Sequence, residues 1–234
     1  MRALPSNLRI PVRQLILKAA LVFAAAHLFT SCAAIERRAE EKRIAAERAE
    51  TLALHGAWRE SKGWRSKTYR NEALLARLTP ENASLQISLD DQRGLLLVDG
   101  FVAMDFPVAT GKRSHPTPTG EFQILGKVRD YQSNLYGKIV DAAGAVVVSD
   151  ADTRRDIPAE GASFVGATMP YWMRLNNSGV GLHVGHVPGR PASHGCIRLR
   201  RETAKFLFES LKVGTPVLVA RQAPALEPAA PAPQ

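Results

Sequence analysis

One stretch near the C-terminal end of the chain constrains its fold and chemistry more than any other. Residues 179–199 read Gly-Val-Gly-Leu-His-Val-Gly-His-Val-Pro-Gly-Arg-Pro-Ala-Ser-His-Gly-Cys-Ile-Arg-Leu and hold three of the six histidines and one of the two cysteines. Its glycines and prolines favour sharp bends. An imidazole that takes a thiol proton creates a nucleophilic thiolate. Gly195 also permits a tight turn before Cys196, which could aim backbone N–H groups at an oxyanion.

This stretch carries a family resemblance. Ser193-His194-Gly195-Cys196-Ile197-Arg198, with His183 upstream, resembles the signature of the L,D-transpeptidase (YkuD-type) catalytic domain. The resemblance extends to residues 107–112, 117–122 and 169–175 and covers roughly residues 84–220. It implies a mainly β domain, a β-sandwich with one packed α-helix, and no metal or organic cofactor.

The resemblance also implies roles for the thiol and the first histidine. Cys196 corresponds to a nucleophile that attacks the carbonyl of the third residue of a peptidoglycan stem peptide, releases D-alanine and forms a thioester. His183 corresponds to the general base and acid, held in one neutral tautomer by a backbone carbonyl. An amine then resolves the thioester. An amine of a second stem peptide gives a 3→3 cross-link, and an amine of a protein gives attachment of that protein. Water as the acceptor would make the protein an L,D-carboxypeptidase.

Four neighbours are the expected substrate-binding or oxyanion residues: Ser193, His194, Gly195 and Arg198. Ser193 is expected to shape the turn by a side-chain to backbone bond, and His194 to line the pocket or donate to the oxyanion. Arg198 lies two residues after Cys196, so in an extended segment both side chains share one side. There it would lower the thiol pKa or bind a carboxylate; the alternative is an ordinary structural ion pair.

Two rival interpretations belong to other functional classes. His183-x-x-His186 with His194-x-Cys196 offers three imidazoles and a thiolate to a zinc ion. This spacing is not a common zinc pattern, and we expect no metal. The second rival is a non-catalytic envelope lipoprotein that binds the cell wall and retains the fold. The intact Cys196 and His183 pair argues against it.

The N-terminal residues 1–31 have the features of a secretory signal. They hold four basic residues and no acidic one, and an apolar run over residues 19–29 leads to Thr30-Ser31-Cys32. That run is shorter than the roughly 20 residues that span a bilayer. The segment resembles a bacterial lipoprotein signal, which predicts lipidation of Cys32; ordinary cleavage, for example after Ala26, would leave it free. The same resemblance implies, since Ala33 rather than an aspartate follows Cys32, anchoring at the periplasmic face of the outer membrane.

Charge limits the classes of partner. The formal net charge is +9, and removing the four basic residues of the signal leaves +5. A mildly basic domain suits an anionic polymer. It would also suit a nucleic acid, but the sequence has no basic helix or aromatic–basic ladder typical of nucleic-acid binding. Each of the two cysteines has a separate role, so we expect no disulfide.

The remaining chain divides by composition. Residues 32–80 are predicted to be a helical stalk and connector, because charged residues four apart support an exposed helix from Ile35 to Leu54, ending at His55 and Gly56. Such a helix would span roughly 30 Å. A partner-binding coiled coil is the alternative. Residues 81–221 form the predicted catalytic domain, and the Pro/Ala-rich residues 222–234 a disordered tail.

Alternation of apolar and polar residues predicts the strands of this domain. They are residues 85–89, 93–98, 101–104, 121–125, 172–175, 180–184 and 216–220, with a hairpin turn at Asp99-Gly100. Residues 201–212 predict an amphipathic helix. Residues 131–165 are interpreted as a lid or insertion in which only 145–148 is strand. The pattern does not determine the strand order.

Overall fold

The computed structural model describes residues 12–226, with side chains from Ile35 to Ala225. The chain divides into two compact units, one ending at Glu50 and the other beginning at Thr51. Residues 1–11 of the predicted signal, the side chain of Cys32 and residues 227–234 of the predicted tail lie outside the described part.

The first long element is helix α1, Val12–Arg59. From Ile35 to Glu50 its side chains are almost all exposed, as expected for a helix whose charged residues pair along its own surface. The predicted end at His55 and Gly56 is wrong, because the helix continues to Arg59 and its last turns pack on the β domain. Among the described residues, no helix has both the length and the apolar character needed to cross a membrane.

The second unit is built mainly from strands. They are β1 (Tyr69–Arg70), β2 (Ala83–Ser88), β3 (Arg93–Val98), β4 (Phe101–Ala109), β5 (Gly120–Gln123), β6 (Gly126–Val140), β7 (Val146–Asp152), β8 (Ser163–Arg174), β9 (Gly181–Val184), β10 (Ile197–Leu199) and β11 (Pro216–Ala220). The two further helices are α2 (Glu72–Leu75) and α3 (Arg201–Ser210).

Strand β4 joins the two halves of the sheet system. The order is β5-β11-β2-β3-β4-β10-β9-β8-β6-β7, with β1 paired to β4. The two halves and α3 bury one core, which contains Ile87 and Phe106 from the first half, Leu182 and Ile197 from the second, and Leu207 from α3. The prediction of a mainly β sandwich with one packed α-helix is confirmed.

Local signals located several elements correctly. The turn between β3 and β4 has positive φ at both predicted positions, 52° at Asp99 and 80° at Gly100. Helix α3 begins at the predicted residue and buries Ala204 and Leu207 on the face that its periodicity indicated. The start of the predicted disordered tail is ordered, however, because Ala223 is buried against Leu95 and the Ala225 N–H donates to the Gln86 side chain.

The interpretation of residues 131–165 as a mostly non-strand lid is wrong. Strand β6 runs to Val140, β7 pairs with it, and β8 begins at Ser163, so this region is an extended three-stranded arm. Its strands carry polar residues on both faces and irregular register, which hides the alternation used for prediction. Gly137 and Gly166 pair in close contact, where a Cβ atom would meet the facing backbone within 2.9 Å.

A buried ionic cluster joins the end of α1 to the outer face of β4. Asp105 is fully buried, and its carboxylate accepts hydrogen bonds from His55 Nε2 at 2.8 Å, Arg59 Nε at 3.0 Å and Arg93 Nε at 2.6 Å. Arg93 also donates to two backbone carbonyls. Burial raises the pKa of Asp105, but the bond from His55 and the charges of Arg93 and Arg59 outweigh burial and hold it below its ordinary value.

We predict that Asp105→Asn destabilises the β domain strongly. The substitution leaves the buried Arg93 guanidinium without its counter-charge, which costs roughly 3–5 kcal/mol for a broken buried pair. Urea unfolding at neutral pH measures the change. Because the folded-state pKa of Asp105 is depressed, its contribution is present at neutral pH and is lost as the pH falls below the unfolded-state value of about 4.

The matched control is Asp90→Asn, which removes an exposed carboxylate 3.3 Å from Arg221. Exposed ion pairs contribute about 0–1 kcal/mol, so this variant should stay near the parent protein. Equal destabilisation by the two substitutions would contradict a structural role for the buried cluster.

Candidate active site

The parallel pairing of β9 with β10 aligns the thiol and the imidazole. Arg198 of β10 is the register partner of His183 on β9. Paired residues project to the same face, and so do residues two apart along an extended segment. Cys196 lies two residues before Arg198, so the three side chains share one face. Leu182 points to the opposite face, into the core.

The hydrogen bond at His183 fixes its tautomer. Nδ1 donates to the Val184 carbonyl oxygen at 2.8 Å, and because a carbonyl can only accept, the proton of the neutral ring is on Nδ1. Nε2 is then unprotonated and can take up a proton. Burial lowers the pKa of His183 to about 4, with a further lowering by the Arg198 charge, although the bond to Val184 opposes both. The resting imidazole is therefore neutral.

The thiol of Cys196 is held by backbone groups. Sγ lies 3.6 Å from the Gly179 carbonyl oxygen, to which it donates. Burial raises the pKa of the thiol, while the bond from Gly181 and the charge of Arg198 oppose that rise. The resting groups are thus a protonated thiol and a neutral imidazole that line the same cavity, a state that suits proton transfer when a carbonyl carbon arrives for attack.

Side-chain to backbone bonds shape the turn that carries Cys196. Ser193 Oγ donates to the Cys196 carbonyl and accepts from the Gly195 N–H at 3.1 Å. Gly195 has a φ of 114°, a region that favours glycine. Ser193 itself is fully buried and forms a parallel bridge with Gly111. The Ser193 hydroxyl is therefore engaged within the turn.

His194 forms part of an aromatic wall. Its ring stacks on Tyr136 at 4.6 Å between centroids and meets His115 edge-on at 4.8 Å. Its Nε2 lies 3.0 Å from Lys112 Nζ and 3.3 Å from an Asp150 carboxylate oxygen. Burial lowers the pKa of His194, although the Asp150 charge opposes the shift. Asp150 belongs to β7, so these contacts tie the arm to the turn before Cys196.

Two cavities meet at the thiol. The first, about 530 Å³, is lined by His183, Cys196 and Arg198 together with residues of β6, β7 and β8. The second, about 380 Å³, is lined by Gly195 and Cys196 with His115, Ser178 and Gly179. Residues that line both are Tyr136, Met169, His194 and Cys196. Cys196 and His194 of the thiol-bearing turn therefore border both cavities.

Arg198 reaches the first cavity because glycine faces its stem. A Cβ atom at Gly185 would lie 2.8 Å from both Cγ and Cδ of Arg198. The glycine after β9 thus leaves room for the arginine stem to cross, and the guanidinium charge acts on both Cys196 and His183.

Comparison with models of protein families shows which family the chain belongs to. A family model described as the L,D-transpeptidase catalytic domain (YkuD) matches residues 82–219, which is more than half of the chain. The chain belongs to the L,D-transpeptidase catalytic domain family. The matched range contains β2 to β10 and every residue of the site described above.

Curated proteins of similar sequence include two from Mycobacterium tuberculosis. L,D-transpeptidase 1 of Mycobacterium tuberculosis is 31% identical over 126 residues, which cover 52% of this chain and 43% of that protein. Probable L,D-transpeptidase 3 of the same organism is 30% identical over 121 residues, covering 48% of this chain and 37% of that protein. The chain therefore matches less than half the length of these relatives.

Solved structures of the same name also resemble the chain. An L,D-transpeptidase from Mycobacterium smegmatis has 24% identity and a TM-score of 0.46, over 59% of this chain and 58% of that one.

The structure brings most of the predicted site residues of this L,D-transpeptidase family member together. His183, Cys196, His194 and Arg198 line one cavity, while Ser193 and Gly195 form the turn. His186 is exposed and lines neither of the two cavities. In the part of the chain that the structure describes, no three His, Cys, Asp or Glu side chains are grouped to hold a metal ion, so the geometry gives no support to the zinc alternative.

Sequence reasoning missed several residues around the thiol. Lys112 and Thr117 lie in the two upstream segments of the family resemblance, residues 107–112 and 117–122. That resemblance was the signal that could have identified them as residues of the site. Tyr136 and Asp150 lie on the arm that was interpreted as a lid, and they reach the site only because β6 and β7 pair. Tyr171 and Trp172, in the third segment of the resemblance, line neither of the two cavities and pack on Phe208 and Tyr131 respectively.

We predict that the reactivity of Cys196 increases steadily with pH. Its raised pKa and the neutral His183 mean that the thiolate fraction grows about tenfold for each pH unit below the pKa. Alkylation by iodoacetamide, followed on the peptide that contains Cys196, should rise without a plateau between about pH 6 and 8. Arg198→Gln, which removes a charge that lowers the thiol pKa, should be slower at each pH. A plateau across this range would instead indicate a resting thiolate–imidazolium pair.

Proposed function

We propose that the protein is a peptidoglycan L,D-transpeptidase that uses Cys196 as its nucleophile and His183 as its general base and acid. The substrate is a tetrapeptide stem, whose third residue is transferred to an amine with release of D-alanine. The amine belongs to a second stem peptide, in a 3→3 cross-link, or to a protein. Membership of the L,D-transpeptidase family supports the reaction class. Because the chain matches less than half of its curated relatives, the activity of the whole protein is part of this proposal.

The observation that carries the proposal is the tautomer of His183. With its proton on Nδ1 and bonded to the Val184 carbonyl, the ring has a free Nε2 on the face that it shares with Cys196. Nε2 takes the thiol proton as Sγ bonds to the stem carbonyl carbon, and the carbonyl electrons move to oxygen. The intermediate then collapses, the amide C–N bond breaks, and the imidazolium returns the proton to the departing D-alanine amine.

The second half of the reaction uses the same groups in reverse. The acceptor amine loses a proton to His183 Nε2 and attacks the thioester carbonyl, and Cys196 leaves as a thiol. Two cavities that meet at Cys196 suit a reaction with two substrates, since the thioester can then be approached from a side that the first stem does not fill. Arg198 in the first cavity offers a cation to a stem carboxylate.

Two alternatives remain for experiment. Water in place of the amine would give L,D-carboxypeptidase activity from the same acyl-enzyme. A non-catalytic wall-binding role would leave the thiol unacylated.

We predict that the protein removes D-alanine from tetrapeptide muropeptides. Residues 33–234 are incubated with purified tetrapeptide muropeptides, and mass spectrometry follows the products. The expected products are a Cys196 acyl-enzyme, free D-alanine and either a cross-linked dimer or a tripeptide, which separates transferase from carboxypeptidase activity. Cys196→Ala should form none of them. Absence of D-alanine release under all conditions would favour the wall-binding alternative.

Histidine variants provide the matched controls for this experiment. His183→Ala should lower acylation by roughly 10²- to 10⁴-fold, the usual range for a lost general base. His186→Ala, three residues away but exposed and outside both cavities, should change little, and His194→Ala should be intermediate. Activity should survive a chelator. Comparable losses at His183 and His186 together with stoichiometric zinc would replace this mechanism by the metal site.

We propose further that the protein is anchored through lipidated Cys32 at the periplasmic face of the outer membrane. The support is the sequence alone: a basic start, a short apolar run, small residues before Cys32 and Ala33 after it. The exposed α1 segment that follows suits a spacer between membrane and wall.

We predict that labelled fatty acid enters the wild-type protein and not Cys32→Ala when both are expressed with their N-terminal segment. Cys196→Ala is the matched control and should be labelled like the wild type, since the second cysteine lies in the domain. Equal labelling of wild type and Cys32→Ala would contradict lipid anchoring at this residue.

A further inference from the structure

The peptide group between Gly195 and Cys196 is fixed from a distant part of the chain. The hydroxyl of Thr117, a residue from the segment between β4 and β5, lies 2.8 Å from the Gly195 carbonyl oxygen. The same hydroxyl lies 2.8 Å from the Gly111 backbone nitrogen. Thr117 is only 4% exposed, so water does not compete freely for these bonds. One buried side chain therefore links the residue before the nucleophile to the end of β4.

The directions of these two bonds follow from the available protons. A backbone N–H can only donate, so the Thr117 oxygen accepts from Gly111. A carbonyl can only accept, so the single hydroxyl proton of Thr117 is given to Gly195. No alternative assignment satisfies both contacts. The Gly195 carbonyl is thus held toward Thr117 by a directed bond.

This direction determines where the Cys196 N–H points. No peptide bond in the described chain is cis, and in a trans peptide the C=O and the following N–H point to opposite sides. With the Gly195 carbonyl facing the buried Thr117, the Cys196 N–H faces away from it. The Gly195 N–H is already bonded to Ser193 Oγ at 3.1 Å. Of these two consecutive N–H groups, Cys196 therefore carries the one that the turn itself leaves for a substrate.

A carbonyl attacked by Sγ develops negative charge on its oxygen, and the N–H of the nucleophilic residue itself is a common donor to such an oxyanion. We propose that Thr117 is a positioning residue for the acylation step: it orients the Gly195–Cys196 peptide so that the Cys196 N–H stabilises the oxyanion. The inference rests on the proposed thiol chemistry of Cys196 but not on the identity of the acyl donor.

The backbone of the segment that carries Thr117 passes very close to Gly111. A Cβ atom at Gly111 would lie 2.1 Å from the His115 carbonyl oxygen and 2.6 Å from the Thr117 nitrogen. Only glycine lets the chain fold back so that Thr117 meets the N–H of residue 111. The Lys112 N–H in turn donates to the Ser193 carbonyl at 2.9 Å. Gly111 and Lys112 of the first upstream segment and Thr117 of the second thus hold the catalytic turn together.

The test separates oxyanion stabilisation from general support of the turn. Acylation of Cys196 by p-nitrophenyl acetate passes through an oxyanion, whereas alkylation by iodoacetamide displaces iodide and forms none. Both are followed by mass spectrometry of the peptide that contains Cys196, so that Cys32 does not interfere. The compared proteins are the wild type, Thr117→Val, which has a similar shape without the hydroxyl, and Thr117→Ser, which keeps it. Thr119→Val is the matched control, since Thr119 is exposed two residues away.

We expect Thr117→Val to lower the acylation rate by about 10- to 100-fold, less than the 10²- to 10³-fold reported for full removal of an oxyanion donor, because the N–H is misdirected rather than deleted. Its alkylation rate should stay within about threefold of the wild type, and both rates of Thr117→Ser and Thr119→Val should do the same.

Three outcomes of the rate measurements would overturn the inference. Acylation could fall equally in Thr117→Val and Thr117→Ser, acylation and alkylation could fall together, or neither could fall. Circular dichroism checks the fold of each variant. If Thr117→Val does not fold, Thr117→Ala takes its place. If neither variant folds, the role of Thr117 is in stability, and the inference is also overturned. A wild type that reacts with p-nitrophenyl acetate but not with muropeptides would reject the proposed function while leaving this test intact.

Discussion

The parallel pairing of β9 with β10 is the constraint on which the site depends. Two neighbouring parallel strands need a connection that carries the chain back to the same end, and here that connection is a loop of 12 residues, 185–196, without a helix. The pairing sets Arg198 opposite His183 and leaves Cys196 at the end of the returning loop on the same face. A register shift of one residue would turn Arg198 and Cys196 into the core and Ile197 toward the cavity.

Because that connection has no regular structure of its own, other parts of the chain must hold it. The Thr110 carbonyl accepts from the N–H groups of Ala192 and Ser193, and Gln92 binds the backbone and the hydroxyl of Thr110. Strand β4 is therefore both the link between the two halves of the sandwich and the support of the catalytic turn. Asp105, on the outer face of the same strand, joins it to the last turns of α1.

Burial gives the thiol and imidazole their resting states. Burial disfavours the charged form of each group: it raises the pKa of the Cys196 thiol and lowers the pKa of the His183 imidazole. Arg198 favours the thiolate but further disfavours the imidazolium, so its charge does not by itself create an ion pair. Proton transfer is then coupled to the arrival of an electrophilic carbonyl, and the thiol stays protonated until a substrate fills the cavity.

The features that depend on local chemistry can be predicted from the amino-acid sequence alone. Turn residues located the Asp99-Gly100 hairpin, apolar periodicity located α3, and the Ser193–Arg198 string with His183 indicated the family and the residues of the proposed mechanism. Charged pairs four apart predicted the exposed part of α1, because such contacts form within a helix.

The features that depend on distant partners become visible only in the folded chain. The arm of β6, β7 and β8 has a weak alternating pattern, since its stability comes from pairing between strands rather than from one buried face. The helix α1 continues beyond Gly56 to Arg59, and both His55 and Arg59 bind Asp105, which lies 50 and 46 residues away along the chain. Contacts between distant segments also bring Tyr136 and Asp150 to His194 and bring Thr117 to Gly195. Hydrogen bonds and side-chain contacts between segments so far apart leave no periodicity in the chain, and therefore only folding brings them together.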